Sequence, residues 1–170
     1  GGAELLDEQR CVGIDIDPDA CATAEAAGYQ RAGSGKRRPS VRDFDPKDFR
    51  GVKHLRSTSP CPSFSAAGKG TGRGGDYQTA LDCITRFGDG CGCEYHDIAE
   101  HISDIRTALV VETARWALLM PDVETFTCEQ VPQVEYIYED ICAELSTQGW
   151  EYFDVFTFDA TILGLPARRK

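Results

Sequence analysis

The chain alternates between short apolar runs and stretches with helical spacing. Cys11-Val-Gly-Ile-Asp-Ile-Asp17 is β-rich and has no helical period. Asp17-Pro18 then supplies an N-cap and a first-turn proline, and Gly28 stops the Ala-rich stretch that follows. This reads as strand, tight turn, helix. Residues 30–40 form a polar loop, and a short strand ends near Arg56 to Thr58. That strand leads into Ser59-Pro-Cys-Pro-Ser-Phe-Ser65, after which residues 66–76 are rich enough in glycine to predict a mobile loop. Asp76 to Phe87 reads as a helix start, and residues 88–97 as a connecting loop. Thr107-Ala-Leu-Val-Val111 is expected as a buried strand, followed by a helix through Met120. Val123 to Cys128 is the next strand, and Val131-Pro132 opens a helix to about Gln148, stopped by Gly149. Trp150 to Phe158 alternates aromatic and polar residues as a half-buried strand does. Alternating strands and helices predict a parallel or mostly parallel sheet covered on both faces. There is no internal repeat and no interdomain linker.

Composition narrows this only a little. The 170 residues are 41% hydrophobic and 27% charged, an ordinary balance for one globular domain. No apolar run approaches the ~20 residues needed to cross a bilayer, and the first residues lack a signal-peptide pattern. A cytoplasmic protein is therefore the expectation; a monomer is expected as well. Eight cysteines are present, at 11, 21, 61, 83, 91, 93, 128 and 142. Cys11, Cys21, Cys128 and Cys142 lie inside apolar segments, where cysteine behaves as a small hydrophobe. The net charge of −10 argues against nucleic acid as a partner of the whole surface. Basic residues gather at 36–38, between Lys69 and Arg73, and at 168–170, so a nucleic acid would meet a patch.

Four positions fall where strands of such a sheet end, which is where ligands bind in doubly wound folds. Asp15 ends an apolar strand, where a carboxylate accepts hydrogen bonds from a nucleoside ribose; Asp17 reads as the helix cap. Cys61, between two prolines, is a thiol in a rigid turn, with Lys69 and Arg73 near in sequence to favour its thiolate. Glu129 closes a buried strand, and in that setting a carboxyl can have a raised pKa and act as a hydrogen-bond donor or general acid; a capping role before Pro132 is the plain alternative. The fourth is the Gly164-Leu165-Pro166 corner with its arginines.

Together these segments resemble the DNA cytosine-C5 methyltransferase family. Ser59-Pro60-Cys61-Pro62-Ser63-Phe64-Ser65-Ala66-Ala67-Gly68-Lys69-Gly70 looks like the family's Pro-Cys nucleophile loop. Thr127-Cys128-Glu129-Gln130-Val131 looks like its Glu-Asn-Val strand end, and Gly164 to Lys170 like its Gly-x-Pro-Gln-x-Arg-x-Arg corner. Gly13 to Ala20 matches the segment holding the adenosine end of S-adenosylmethionine, and Asp43-Phe44 sits where the family has an acidic residue near adenine.

The resemblance implies a Rossmann-like, doubly wound α/β fold. In it residues 1–170 are a partial catalytic and cofactor-binding domain, without the target-recognition domain and final motifs. The implied partner is double-stranded DNA with its target cytosine flipped out of the duplex, in a bacterial or phage-encoded enzyme with a restriction-modification, phage or orphan role. The implied catalytic residues are Cys61, Glu129 and Arg169. S-adenosylmethionine would be held by Gly2, Asp15, Ile16, Asp43, Phe44 and Pro60, and the loop carrying Ser65, Gly68, Lys69 and Arg73 would close over DNA. The chain departs from the family pattern at Pro62 in place of Gln, Gln130 in place of Asn and Ala167 in place of Gln. The second arginine of the corner would fall just past Lys170.

Rival readings are an inactive cofactor- or partner-binding fragment, an RNA cytosine methyltransferase, and a zinc site of Cys83, Cys91, Cys93 and His96. The Cys-x-Cys spacing is tighter than a usual zinc pair and no second close pair exists, so no metal is expected. Lys69 is followed by Gly70, which excludes a P-loop.

Overall fold

A computed structural model describes residues 11–33, 40–60, 79, 82, 102, 105–159, 161 and 164. The chain divides into two compact units, Gly1–Phe49 and Arg50–Lys170.

In the first unit, strand β1 (Val12–Gly13) pairs in parallel with β2 (Gln30–Arg31), and helix α1 (Pro18–Ala26) makes the crossover between them. A parallel pair requires such a crossover, because a tight turn returns the chain antiparallel. Asp17 caps α1 by accepting hydrogen bonds from the backbone N–H groups of Asp19 and Ala20 at 2.8 and 3.0 Å, with Pro18 in the first turn. Gly28, at φ 88°, lets the chain leave the helix through the left-handed region. Cys21 is buried and donates its S–H to the Asp15 carbonyl at 3.2 Å. Two 3₁₀ turns follow, Val41–Asp43 and Pro46–Asp48, and the rings of Phe44 and Phe49 meet edge to face at 5.7 Å.

The second unit holds the larger core. Strand β3 (His54–Ser57) pairs in parallel with β4 (Thr125–Cys128), residue for residue from His54–Thr125 to Ser57–Cys128. Side chains alternate along both strands. On the outer face the His54 ring sits against the hydroxyls of Thr125 and Thr127, at 2.8 and 3.2 Å. On the inner face Leu55 and Phe126 pack on the core, and Phe126 meets Trp150 edge to face at 5.1 Å.

Helix α2 (Ile105–Leu119) lies before β4, and a 3₁₀ turn (Pro132–Val134) leads from β4 into helix α3 (Glu135–Thr147). Val134, Ile137, Ile141 and Leu145 recur at spacings of three and four and are wholly buried, so one stripe of α3 meets the core. Gly149 ends α3 at φ 89°. Its N–H bonds to Ser146 O while Trp150 N–H bonds to Leu145 O, the paired closure of a Schellman motif.

Two expected strands are absent. Thr107 to Val111 is the first half of α2. The helix is buried nearly all round, from Thr107 and Ala108 through Ala114 to Ala117. A helix submerged on every side shows no amphipathic period, and a short apolar run inside it looks like a buried strand. Trp150 to Phe158 is irregular. Tyr152 adopts φ 61° and is 97% exposed, which breaks the extended path at its third residue, and Phe156 and Phe158 also face solvent. Among the described residues, no helix is long and apolar enough to cross a membrane.

Candidate functional site

The parallel β3–β4 pair carries two of the singled-out segments to the same end of one sheet. The ladder closes with Glu129 N–H donating to Ser57 O at 3.1 Å. Beyond it the pairing continues through a side chain. Gln130 Nε2 donates to both the carbonyl and the hydroxyl of Ser59, at 2.8 and 3.1 Å. Gln130 Oε1 in turn accepts from Val131 N–H at 2.9 Å, which orients the carboxamide. Pro60 follows directly, exposed at the strand end. Ser59-Pro60 and Glu129-Gln130, 71 residues apart, are thus tied side by side. Gln130→Ala, which removes both bonds to Ser59, is expected to cost about 1–2 kcal/mol; a urea titration of the purified chain measures it.

Helices support this end from the inner face. Thr113 of α2 donates to Ser57 Oγ at 2.6 Å. Cys128, opposite Ser57, is free and partly buried. Burial pushes its thiol up to about 12, the neighbouring Cys142 adds to the rise, and contacts with Thr113 and Tyr138 oppose it. Cys128 is therefore a neutral, unreactive thiol at physiological pH. Its folded pKa lies above the ordinary 9.0, so the stability this contributes is complete below pH 9 and is lost as pH rises toward 12. Urea midpoints are expected to fall between pH 9 and 11, less steeply in Cys128→Ala. Tyr138 of α3 is likewise pushed up, first by burial and then by Cys128 and Glu129, so part of the slope remains in that variant.

Glu129 is exposed, on the same side of β4 as Thr125 and Thr127, so the strand it closes is half-buried rather than buried. It does not cap the following turn, whose cap residue is Val131.

The first unit presents the other described candidates. Asp15 is exposed just past β1, and its Oδ1 accepts from Asp17 N–H at 2.8 Å. The side chain therefore shapes the turn as well as standing at the strand end. Ile16 beside it is 59% exposed. Asp43 closes a capping box, its Oδ2 accepting from Ser40 N–H at 2.8 Å, and Phe44 packs on Phe49. Asp15 and Ile16 thus set an acceptor carboxylate beside an exposed aliphatic side chain at this strand end.

Gly2, Cys61, Ser65, Gly68, Lys69, Arg73 and Arg169 lie outside the described residues, as do Cys83, Cys91, Cys93 and His96. Among the described residues, no group of three or more His, Cys, Asp or Glu is placed to hold a metal ion. Sequence reasoning did not single out Thr113 and Tyr138. The signal was there for Tyr138: it falls between Ile137 and Ile141 of α3, and its ring packs against the core. No family model matches the chain, and no curated protein or solved structure matches it.

Proposed function

We propose that the chain carries the catalytic machinery of a DNA cytosine-C5 methyltransferase. The observation that supports this best is the bonding of Ser59, two residues before Cys61, to Gln130, the neighbour of Glu129. The reaction needs a thiolate and a carboxyl on one base, and these two segments end together on adjacent parallel strands.

In the proposed reaction Cys61 thiolate adds to C6 of a cytosine held out of the duplex. Glu129 engages N3 and the exocyclic amine, where it relieves charge that develops in the ring as the C6–S bond forms. Its exposure leaves the carboxyl open to a base. Arg169 supports the base and Glu129. Asp15 accepts from ribose hydroxyls, Ile16 packs on adenine, and Asp43 and Phe44 flank its amino group, in keeping with the family resemblance. S-adenosylmethionine, when bound, would supply its sulfonium methyl to C5 and leave as the neutral thioether. Loss of the C5 proton to water and departure of Cys61 as the thiolate restore the ring.

The test is incubation of the chain with labelled S-adenosylmethionine and duplex DNA containing 5-fluorocytosine. Fluorine stands where the C5 proton would be and cannot leave as a cation, so elimination stops and a covalent, labelled protein–DNA adduct is expected on denaturing gels. If the folded protein yields neither adduct nor labelled DNA, the proposal fails.

A further inference from the structure

The residues after α3 form a surface that no step above uses. Trp150-Glu-Tyr-Phe-Asp-Val-Phe-Thr-Phe-Asp159 interleaves aromatic rings with Glu151, Asp154 and Asp159 and contains no Lys, Arg or His. Tyr152 is 97% exposed, Phe156 68% and Phe158 51%. Aromatic rings gathered at a surface are characteristic of binding faces. Where this segment begins there is a cleft of about 380 Å³, whose walls include Glu124, Trp150, Glu151 and Tyr152. It lies beside the first residue of β4, at the end of the strand opposite to Glu129. Glu124 already holds a cation, its Oε1 accepting from the Lys53 ammonium at 2.6 Å. Glu151 and Asp154 are exposed and have no ion-pair partner among the described residues.

We propose that this surface docks a basic segment of a partner protein, with an arginine side chain in the cleft and its guanidinium against Glu151 and the Tyr152 ring. Charge decides among occupants. A nucleic acid would bring phosphates against Glu151 and Asp154 with no cation in the segment to meet them. A second copy of the chain would bring the same carboxylates face to face, on a protein of net charge −10. A basic segment meets both features at once, because a cation pairs with a carboxylate and is attracted to an aromatic face. Arginine suits the cleft better than lysine, since its planar guanidinium stacks on a ring while donating to a carboxylate.

The test titrates the full chain with hexa-arginine amide, using calorimetry for affinity and the indole N–H resonances for location. Trp150 lines the cleft, whereas Trp116 is buried with its N–H bonded to Glu112, so the Trp150 resonance should shift to saturation and the Trp116 resonance should stay. Glu151→Gln should weaken binding about three-fold, the scale of one exposed ion pair. Tyr152→Asn should do the same through loss of the ring, and asparagine also tolerates the positive φ found there. Together the two changes should weaken it about ten-fold. Glu135→Gln removes an equal charge at the other end of α3, roughly 20 Å along the helix axis, and should leave affinity unchanged. Equal weakening by Glu135→Gln and Glu151→Gln would reduce the binding to attraction by net charge, and a Trp150 resonance that does not move would place it elsewhere. Either result overturns the proposal. So does tighter binding of a single-stranded DNA oligonucleotide at the same resonance, or dimerisation that Tyr152→Asn abolishes, since each identifies a different occupant.

Discussion

Cys61→Ser is expected to abolish the adduct with 5-fluorocytosine DNA and to lower methyl transfer by on the order of a thousand-fold or more, as loss of a covalent nucleophile does elsewhere. Serine keeps the size and nearly the shape of cysteine, but its hydroxyl stays protonated at neutral pH, whereas a thiol gives thiolate. The comparison with Cys128 makes the test specific. Cys128 ends β4, yet burial holds it neutral, so Cys128→Ser should leave adduct formation largely intact. Trypsin digestion and mass spectrometry of the trapped complex locate the modified residue. An adduct that survives Cys61→Ser, or one mapped to another cysteine, assigns the nucleophile elsewhere.

Arg115→Ala is expected to be the most damaging single change to stability among the described residues. Glu112 sits in the middle of α2 with its side chain only 4% exposed, and Arg115, one turn on, is 12% exposed. Glu112 Oε1 accepts from Arg115 Nε at 2.9 Å and from the Trp116 indole N–H at 3.1 Å, and Arg115 Nη2 also donates to it. Truncating the arginine leaves a buried carboxylate with a single neutral donor. Removing one partner of a buried pair costs about 3–5 kcal/mol, because the remaining charge is not solvated. For a chain of this size that corresponds to a fall in melting temperature of roughly 10 °C, measurable by calorimetry. Glu112→Gln paired with Arg115→Met should recover much of the loss, since it removes both charges together. A melting temperature within about 2 °C of the wild type for Arg115→Ala would show that Glu112 reaches water.

The two predictions concern different layers of one arrangement. Helix α2 is anchored by its own ion pair, and the same helix offers Thr113 to Ser57 on β3. Loss of Arg115 is thus expected to reach the strand end through α2, whereas Cys61→Ser changes chemistry and leaves the support in place. Measuring adduct formation by Arg115→Ala well below its melting temperature separates the two.

Much of the local structure follows from residues that act within a few positions of themselves. Asp17-Pro18 starts α1 and Gly28 ends it, because a capping carboxylate, a pre-set φ and a freedom to adopt positive φ are properties of those residues alone. Gly149 and the stripe Val134, Ile137, Ile141, Leu145 fix α3 in the same way. The segments around Cys61 and Glu129 could be picked out because a proline-flanked thiol and a strand-ending carboxylate are unusual in short windows. What no window contains is the environment. Thr107 to Val111 is helical because α2 is surrounded on all sides, which erases the periodicity that would have distinguished it from a strand. Trp150 to Phe158 keeps a strand-like alternation, yet the turn at Tyr152 denies it a ladder. Only the tertiary structure brings Gln130 onto Ser59, since side chains 71 residues apart meet through strand register and not through sequence pattern.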